Sequence, residues 1–346
     1  MTVQHPAPAL PADMAQGRAR TPARVLRILL WHVHGSWTTA FVHGGHTCML
    51  PVTSDRGPDG RGRARTWDWP TNAVELPWDQ VRGSRPDLVI LQRPHELDLA
   101  ERLLGRTLGR DVPALYVEHN TPRDDVPVTR HPVADRADIP VVHVTYFNDL
   151  FWDCGRAPTH VIEHGVPDPG HRYTGEIARA GVVLNEPLRR WRFTGTDLLP
   201  GLARRVPLDL FGMDVAGVPD HLALPPSRLR AHEDLPQGAM HDRLARRRSY
   251  VHPLRWTSLG LSLIEAMMLG LPVAVLGTTE AHEAVPPEAG VVSTDPRVLA
   301  EALHAFQQDG ALASRTGTAA RAAALRRYGL TRFLDEWDRV LQEVTS

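Results

Sequence analysis

The stretch that decides the fold is His252-Pro-Leu-Arg-Trp-Thr-Ser-Leu-Gly-Leu-Ser-Leu-Ile-Glu-Ala-Met-Met-Leu-Gly-Leu-Pro-Val-Ala-Val-Leu276. It reads as a strand end, a glycine-containing turn, a short helix and a second strand. A helix over 260–269 buries Leu261, Ile264 and Met268 at helical spacing. Glu265 is the one acidic residue in it, and an ionised carboxylate on a buried helix is costly unless something pairs with it. The backbone N–H groups near Leu259, Gly260 and Leu261 lack partners inside the helix and favour an anion. Phosphate at the helix mouth and hydroxyls one to two turns in would use both features, which points to a nucleotide-linked ligand.

Outward from this stretch, apolar runs alternate with helical spacing. Strands are expected at 25–33, 46–52, 87–91, 114–118, 140–145 and 159–163, with a helix at 97–108. Ser54 to Thr66 reads as a polar loop of disorder-prone composition. Gly165-Val-Pro-Asp-Pro-Gly170 breaks the pattern as a linker. A second series follows at 180–184, 208–212, 249–252, 272–276 and 290–292, with helices over 298–306, 311–327 and an amphipathic 331–344. This is an α/β chain of two doubly wound, Rossmann-like parallel-sheet domains facing a cleft. The expected division is a flexible tail over 1–23, a first domain over 24–167, a second over 168–328, and a last helix over 329–346.

Composition narrows the classes. The chain has 346 residues, long enough for two cores, and a net charge of −1 that gives no reason to expect nucleic acid. It contains no lysine, so any cationic contact to phosphate falls to arginine. The two cysteines, Cys48 and Cys154, form no metal spacing or disulfide framework and suit a reducing cytoplasm. The start is rich in proline, alanine and arginine without the apolar core of a signal peptide, and no apolar run is long enough to span a bilayer. Peripheral membrane contact through Arg243-Leu-Ala-Arg-Arg-Arg248 competes with a solvated helix face.

Pro253-(x)6-Gly-Leu-(x)3-Glu265-Ala-Met-(x)2-Gly270-(x)-Pro272-Val resembles the signature of the GT-B fold glycosyltransferases of the family 4 type. His164-Gly-Val resembles the Asn-Gly-Val that closes their first domain. Thr278-Thr-Glu-Ala-His-Glu283-Ala-Val resembles their Gly-(x)-Pro-Glu-(x)-Val loop, and Tyr328-Gly-Leu-Thr-Arg-Phe-(x)3-Trp337 their last helix. The likeness is carried by 249–345 and is thin before 160. Three departures stand out: Thr257 replaces the first glutamate of the family's pair, Asn185-Glu-Pro-Leu-Arg189-Arg190-Trp-Arg192 replaces its arginine–lysine pair, and His34-Gly-Ser-Trp37 replaces its glycine-rich start.

The resemblance implies a retaining, metal-independent hexosyltransferase without a cofactor, in which 24–167 is the acceptor-side domain, 168–328 the donor domain, and the helix over 329–346 packs back on the first domain. Its donor would be a nucleoside-diphosphate sugar, and its acceptor a glycan, a lipid-linked molecule or a small molecule. Glu265 would accept the ribose hydroxyls, Leu259, Gly260 and Leu261 would face diphosphate or hexose, and Glu283 would reach the hexose. One of Arg189, Arg190 and Arg192 would neutralise the leaving diphosphate. Thr257 either hydrogen-bonds the sugar or caps the loop. His119 would touch acceptor or donor sugar, and Gly35 and Ser36 would approach phosphate or acceptor. Trp37 either stacks on a sugar or belongs to the core. His32-(x)-His34, His160-(x)3-His164, Asp124-Asp125 and Asp135-(x)2-Asp138 lack a full metal-ligand spacing, and no P-loop or nucleophile elbow is present. A sugar-nucleotide epimerase and a non-catalytic binding protein of the same fold are the alternatives.

Overall fold

A computed structural model describes residues 24–346 apart from Thr66, Asp124 and Pro127; the expected tail over 1–23 lies outside the described residues. The first half contributes β1 (Arg27–Leu30), α1 (Gly35–Phe41), β2 (Thr47–Val52), β3 (Ala73–Pro77), β4 (Leu88–Leu91), α2 (Glu96–Leu104), β5 (Ala114–Glu118), β6 (Val141–His143), α3 (Tyr146–Phe151) and β7 (Thr159–Val161). From the second half come β8 (Ile177–Val183), α4 (Pro187–Arg190), α5 (Leu199–Arg205), β9 (Leu208–Gly212), α6 (Val218–His221), β10 (Leu229–Glu233), α7 (Gln237–Leu244) and β11 (Arg247–His252). They are followed by α8 (Leu261–Leu269), β12 (Val273–Leu276), α9 (Ala281–Ala284), β13 (Gly290–Ser293), α10 (Pro296–Gln308), α11 (Gly310–Tyr328) and α12 (Leu330–Val344).

The strands form two sheets, ordered β3-β2-β1-β4-β5-β6-β7 and β10-β9-β8-β11-β12-β13, and every pairing is parallel. Both faces of each sheet are covered, so its central strands read as continuous apolar runs. In β1, Ile28 and Leu30 enter one core layer while Leu29 and the following Trp31 enter the other. In β12, Val273 and Val275 face one layer, and Ala274 and Leu276 the opposite one. The two strands that the sequence pattern does not predict, β3 and β10, are both sheet edges. An edge tolerates the charges and proline of Ala73-Val-Glu-Leu-Pro77 and Leu229-Arg-Ala-His-Glu233.

Strand order reverses between β1 and β4 in the first sheet and between β8 and β11 in the second. Crevices at the carboxyl ends of such strand pairs are where ligands bind in open α/β sheets. The chain crosses between the sheets at two adjacent points, since Val166 pairs with Gly329 and its N–H donates to the Tyr328 carbonyl at 2.9 Å. Beyond Gly329, α12 returns to the first sheet, where Phe333, Leu334, Trp337 and Leu341 join its core. Trp337 lies edge-on to both Trp37 and Phe41.

The described part of the 54–66 segment, 54–65, is pinned rather than loose. Arg56 forks onto Glu75, the Arg63 guanidinium donates to the carbonyls of Trp69, Pro70 and Ala73, and Arg61 bridges antiparallel to Val52. The arginine run at 243–248 is divided, with Arg243 and Arg246 exposed to solvent and Arg247 and Arg248 turned into the fold. Buried Arg247 and Arg179 flank Asp209, while Arg246 pairs with Glu176 and Arg248 donates to the carbonyls of Gly175 and Gln307. Among the described residues, no helix is long and apolar enough to cross a membrane.

Candidate active site between the two sheets

A cavity of about 240 Å³ opens between the sheets. Ser36, Thr39 and Trp67 line it from the first, Gln237, Gly238, His241 and Glu265 from the second, and the 166–169 crossover closes one side. Helix α8 supplies Glu265 because its other side chains, Leu263, Ile264 and Met267 among them, are buried in the second core. The carboxylate is only 6 % exposed. It accepts hydrogen bonds from Gln237 Nε2 at 2.9 Å and His241 Nε2 at 3.2 Å. A carboxylate has about four acceptor positions, so those two bonds leave room for two hydroxyl donors.

Gln237 also ties the halves together, because its Oε1 accepts from Trp67 Nε1 at 2.6 Å. The Trp67 ring lies over Gly35, where a Cβ would come within 2.1 Å of it. Gly35 therefore makes room for Trp67 at the start of α1, and Ser36 is the member of that turn that faces the cavity. Trp37 is buried at 1 % exposure, stacked on Phe41, so the core reading applies and no sugar can reach its ring.

The second sheet's switch point carries the turn after β11. Gly260 is required there by His252, whose ring would sit 2.4 Å from an added Cβ. Helix α8 begins with no side-chain cap and no acidic residue in its first turn, so its N-terminus remains electropositive. Leu259 is buried and Leu261 half-buried at that start. The same loop reaches the first sheet: Trp256 Nε1 donates to the Pro122 carbonyl at 2.7 Å, and Ser258 Oγ to the His119 carbonyl at 2.7 Å. Half-buried Thr257 lies between these two contacts.

Across from β11, the turn after β8 sorts its three arginines. Arg189 is exposed and held by Glu186. Arg192 is exposed and paired with Asp197, which Arg255 also engages. Arg190 is half-buried and makes no side-chain hydrogen bond or ion pair among the described residues. Its pKa is lowered by burial and by the neighbouring charge of Arg189, opposed by Glu186. A cation kept partly out of water beside another cation is a receptor for an anion. Glu283 does not reach the cavity: its side chain is 71 % exposed, 3.8 Å from Arg327. It lies one turn beyond Glu280, which is the buried member of that segment. Glu280 accepts from the Phe147 N–H at 2.8 Å, and burial raises its pKa.

At the first switch point His34, His119 and Gln92 meet. The Gln92 amide is oriented by its Nε2 bond to the Trp31 carbonyl, which leaves Oε1 to accept from His119 Nε2 at 3.0 Å. The proton is thereby fixed on Nε2, and Nδ1 of His119 keeps its lone pair. His34 stacks at 4.1 Å on His119. Burial, with the charges of Arg93 and Arg61, lowers the His34 pKa to about 4. Burial also holds His119 well below its ordinary value and takes His164 down to about 3. All three rings are neutral at pH 7. No group of three or more His, Cys, Asp or Glu is placed to hold a metal among the described residues, and Asp124 of the Asp124-Asp125 pair lies outside them.

Gln237, His241, Trp67 and Gln92 carry no motif in the sequence. The one available signal for Gln237 and His241 is their four-residue spacing, which puts both on one face of α7.

No family model matches the chain, and no curated protein matches it by sequence. Solved structures do. A sucrose-phosphate synthase from Thermosynechococcus elongatus superposes with a TM-score of 0.69 at 14 % identity, over 92 % of this chain and 99 % of that one. Anabaena HepE, solved in complex with UDP, gives 0.67 at 14 % identity over 92 % and 100 %. A glycosyltransferase from Rickettsia africae gives 0.64 at 13 % identity over 92 % and 98 %. The chain has the GT-B fold. Each of these alignments covers 92 % of this chain, so the likeness in fold extends well beyond the 249–345 segment that carries the motif resemblance.

Proposed function

We propose that this chain is a retaining glycosyltransferase of the family 4 type that transfers a hexosyl group from a nucleoside-diphosphate sugar. The observation that carries the reading is Glu265: a buried carboxylate on the cavity wall, half satisfied by Gln237 and His241. It suits the two hydroxyls of a ribose. The uncapped start of α8 and unpaired Arg190 flank the carboxyl ends of β8 and β11, a place for diphosphate. Neutralising charge on that leaving group is the main work the protein has to do. The acceptor enters from the first sheet, where His119 Nδ1 can accept a hydroxyl hydrogen bond. The departing diphosphate takes the acceptor proton on the face where the new bond forms, so neither a protein nucleophile nor a metal is needed. The free, buried cysteines suit a reducing cytoplasm.

Thr257 favours one competing reading, a binding protein that holds a nucleotide sugar without turning it over. Titration with UDP, GDP and ADP, then incubation with the matching donor sugars and anomer analysis by NMR, separates the two. Release of nucleotide with retained anomeric configuration supports transfer. Tight binding without release supports the binding protein, and no binding of any nucleotide rejects both. Sugar isomerisation without an acceptor would identify an epimerase.

A further inference from the structure

A second basin, of about 450 Å³, lies on the first sheet's side and is lined by His32, Ser54, Asp55 and four arginines, Arg56, Arg61, Arg63 and Arg65. Its wall is formed by residues between Ser54 and Arg65, and Trp67, close by in the chain, lines the cleft cavity. His32, just past β1, joins the basin to the first switch point: its Nδ1 bonds the Gly62 carbonyl at 3.1 Å and its ring packs 4.8 Å from Trp69.

The four guanidinium groups are not equivalent. Arg56 is answered by Glu75, and Arg63 is spent on three backbone carbonyls that hold the loop in shape. Asp55 is turned back onto Thr53 Oγ1 at 2.6 Å and the Gly57 N–H at 3.2 Å. Arg61 and Arg65 remain, both exposed at the basin's rim and with no side-chain hydrogen bond or ion pair among the described residues. Two free forks on one pinned loop, above a basin of this size, form a receptor for an oxyanion. The charge of Arg61 also reaches His34, beside His119, so the basin and the acceptor side of the cleft share one electrostatic field.

We infer that this basin is an acceptor subsite for an anionic sugar or polyol, one carrying a phosphate or a carboxylate that Arg61 and Arg65 grip while its hydroxyl reaches towards His119. The inference rests on the glycosyltransferase reading for the word acceptor; the anion site itself stands on the arginines alone.

The test is calorimetric titration of the full chain, saturated with UDP, by a hexose, the hexose 6-phosphate and the corresponding hexuronate. The same titrations are run on Arg61→Gln/Arg65→Gln. The wild type should bind at least one of the two anions about tenfold or more tightly than the neutral hexose, and the tighter of the two identifies the group recognised. That preference should shrink at high salt and vanish in the double variant, with UDP affinity unchanged. Equal affinity for all three sugars, or an anion preference that survives in the double variant, overturns the subsite. Failure of UDP to bind rejects the donor reading, while the contrast between wild type and double variant still decides the anion site.

Discussion

Glu265→Ala isolates the donor contact. Glu265 is buried and already accepts from Gln237 and His241, so a ribose can use only its remaining acceptor positions. Each hydrogen bond from a hydroxyl to a charged acceptor contributes about 1.5–3 kcal/mol, or roughly 10- to 150-fold in affinity. Removing the carboxylate should therefore weaken UDP binding by about two to four orders of magnitude when both hydroxyls are engaged. Loss of affinity alone could reflect a collapsed pocket, so the decisive assay is a cycle with 2′-deoxy-UDP. Wild type should lose about 10- to 150-fold on removal of the 2′-hydroxyl, and the alanine variant should lose almost nothing further. If the variant still discriminates UDP from 2′-deoxy-UDP by the wild-type factor, Glu265 does not hold the ribose. Circular dichroism and the melting transition check that the variant remains folded.

Further outcomes follow from the geometry. Arg190→Ala should lower kcat by about 10²- to 10³-fold, the usual effect of removing one preorganised charge-stabilising donor. Arg189→Ala and Arg192→Ala, whose charges are met by Glu186 and Asp197, should leave kcat within about threefold. Trp67→Phe deletes the hydrogen bond that spans the cleft, worth about 1 kcal/mol, and should raise apparent donor affinity up to about fivefold in a titration. Trp337→Ala should cost about 3–5 kcal/mol in urea unfolding, because its buried ring joins α12 to Trp37 and Phe41. The pKa values of His34, His119, His164 and His252 lie below the unfolded value, so their stabilisation is complete above about pH 6.5. It is lost as pH falls towards 4 and then 3, because the unfolded chain takes up protons first. Melting scans should show His164→Gln losing less stability than wild type over that interval.

Glu265 is legible in the sequence because a carboxylate inside an apolar helix breaks a rule that physics enforces, and such breaks mark sites. Its partners are not legible: Gln237 and His241 come from a helix on the far side of β11, and sequence spacing carries no trace of that packing. The edge strands β3 and β10 escape for a related reason, since a strand with one free edge need not be uniformly apolar. Glu283 and Glu280 show the limit of motif placement. They are three residues apart on a turn so short that only tertiary structure decides which points inwards, and Phe147 of the first half makes that choice by donating to Glu280.

The arginines show the same division. With lysine absent, composition offers every arginine as a phosphate contact and so singles out none. The account of partners removes several of them. Arg247 and Arg179 share a buried aspartate, Arg63 braces a loop, and Arg189 and Arg192 close surface pairs. A cation already paired gains little from a ligand's anion, because its own pair must first be broken. Arg190 at the second switch point and Arg61 and Arg65 beside the first have no such pair to break. On the proposed reading, Arg190 meets the donor's diphosphate and Arg61 with Arg65 the acceptor's anion, so loss of the second contact alone should leave nucleotide binding intact.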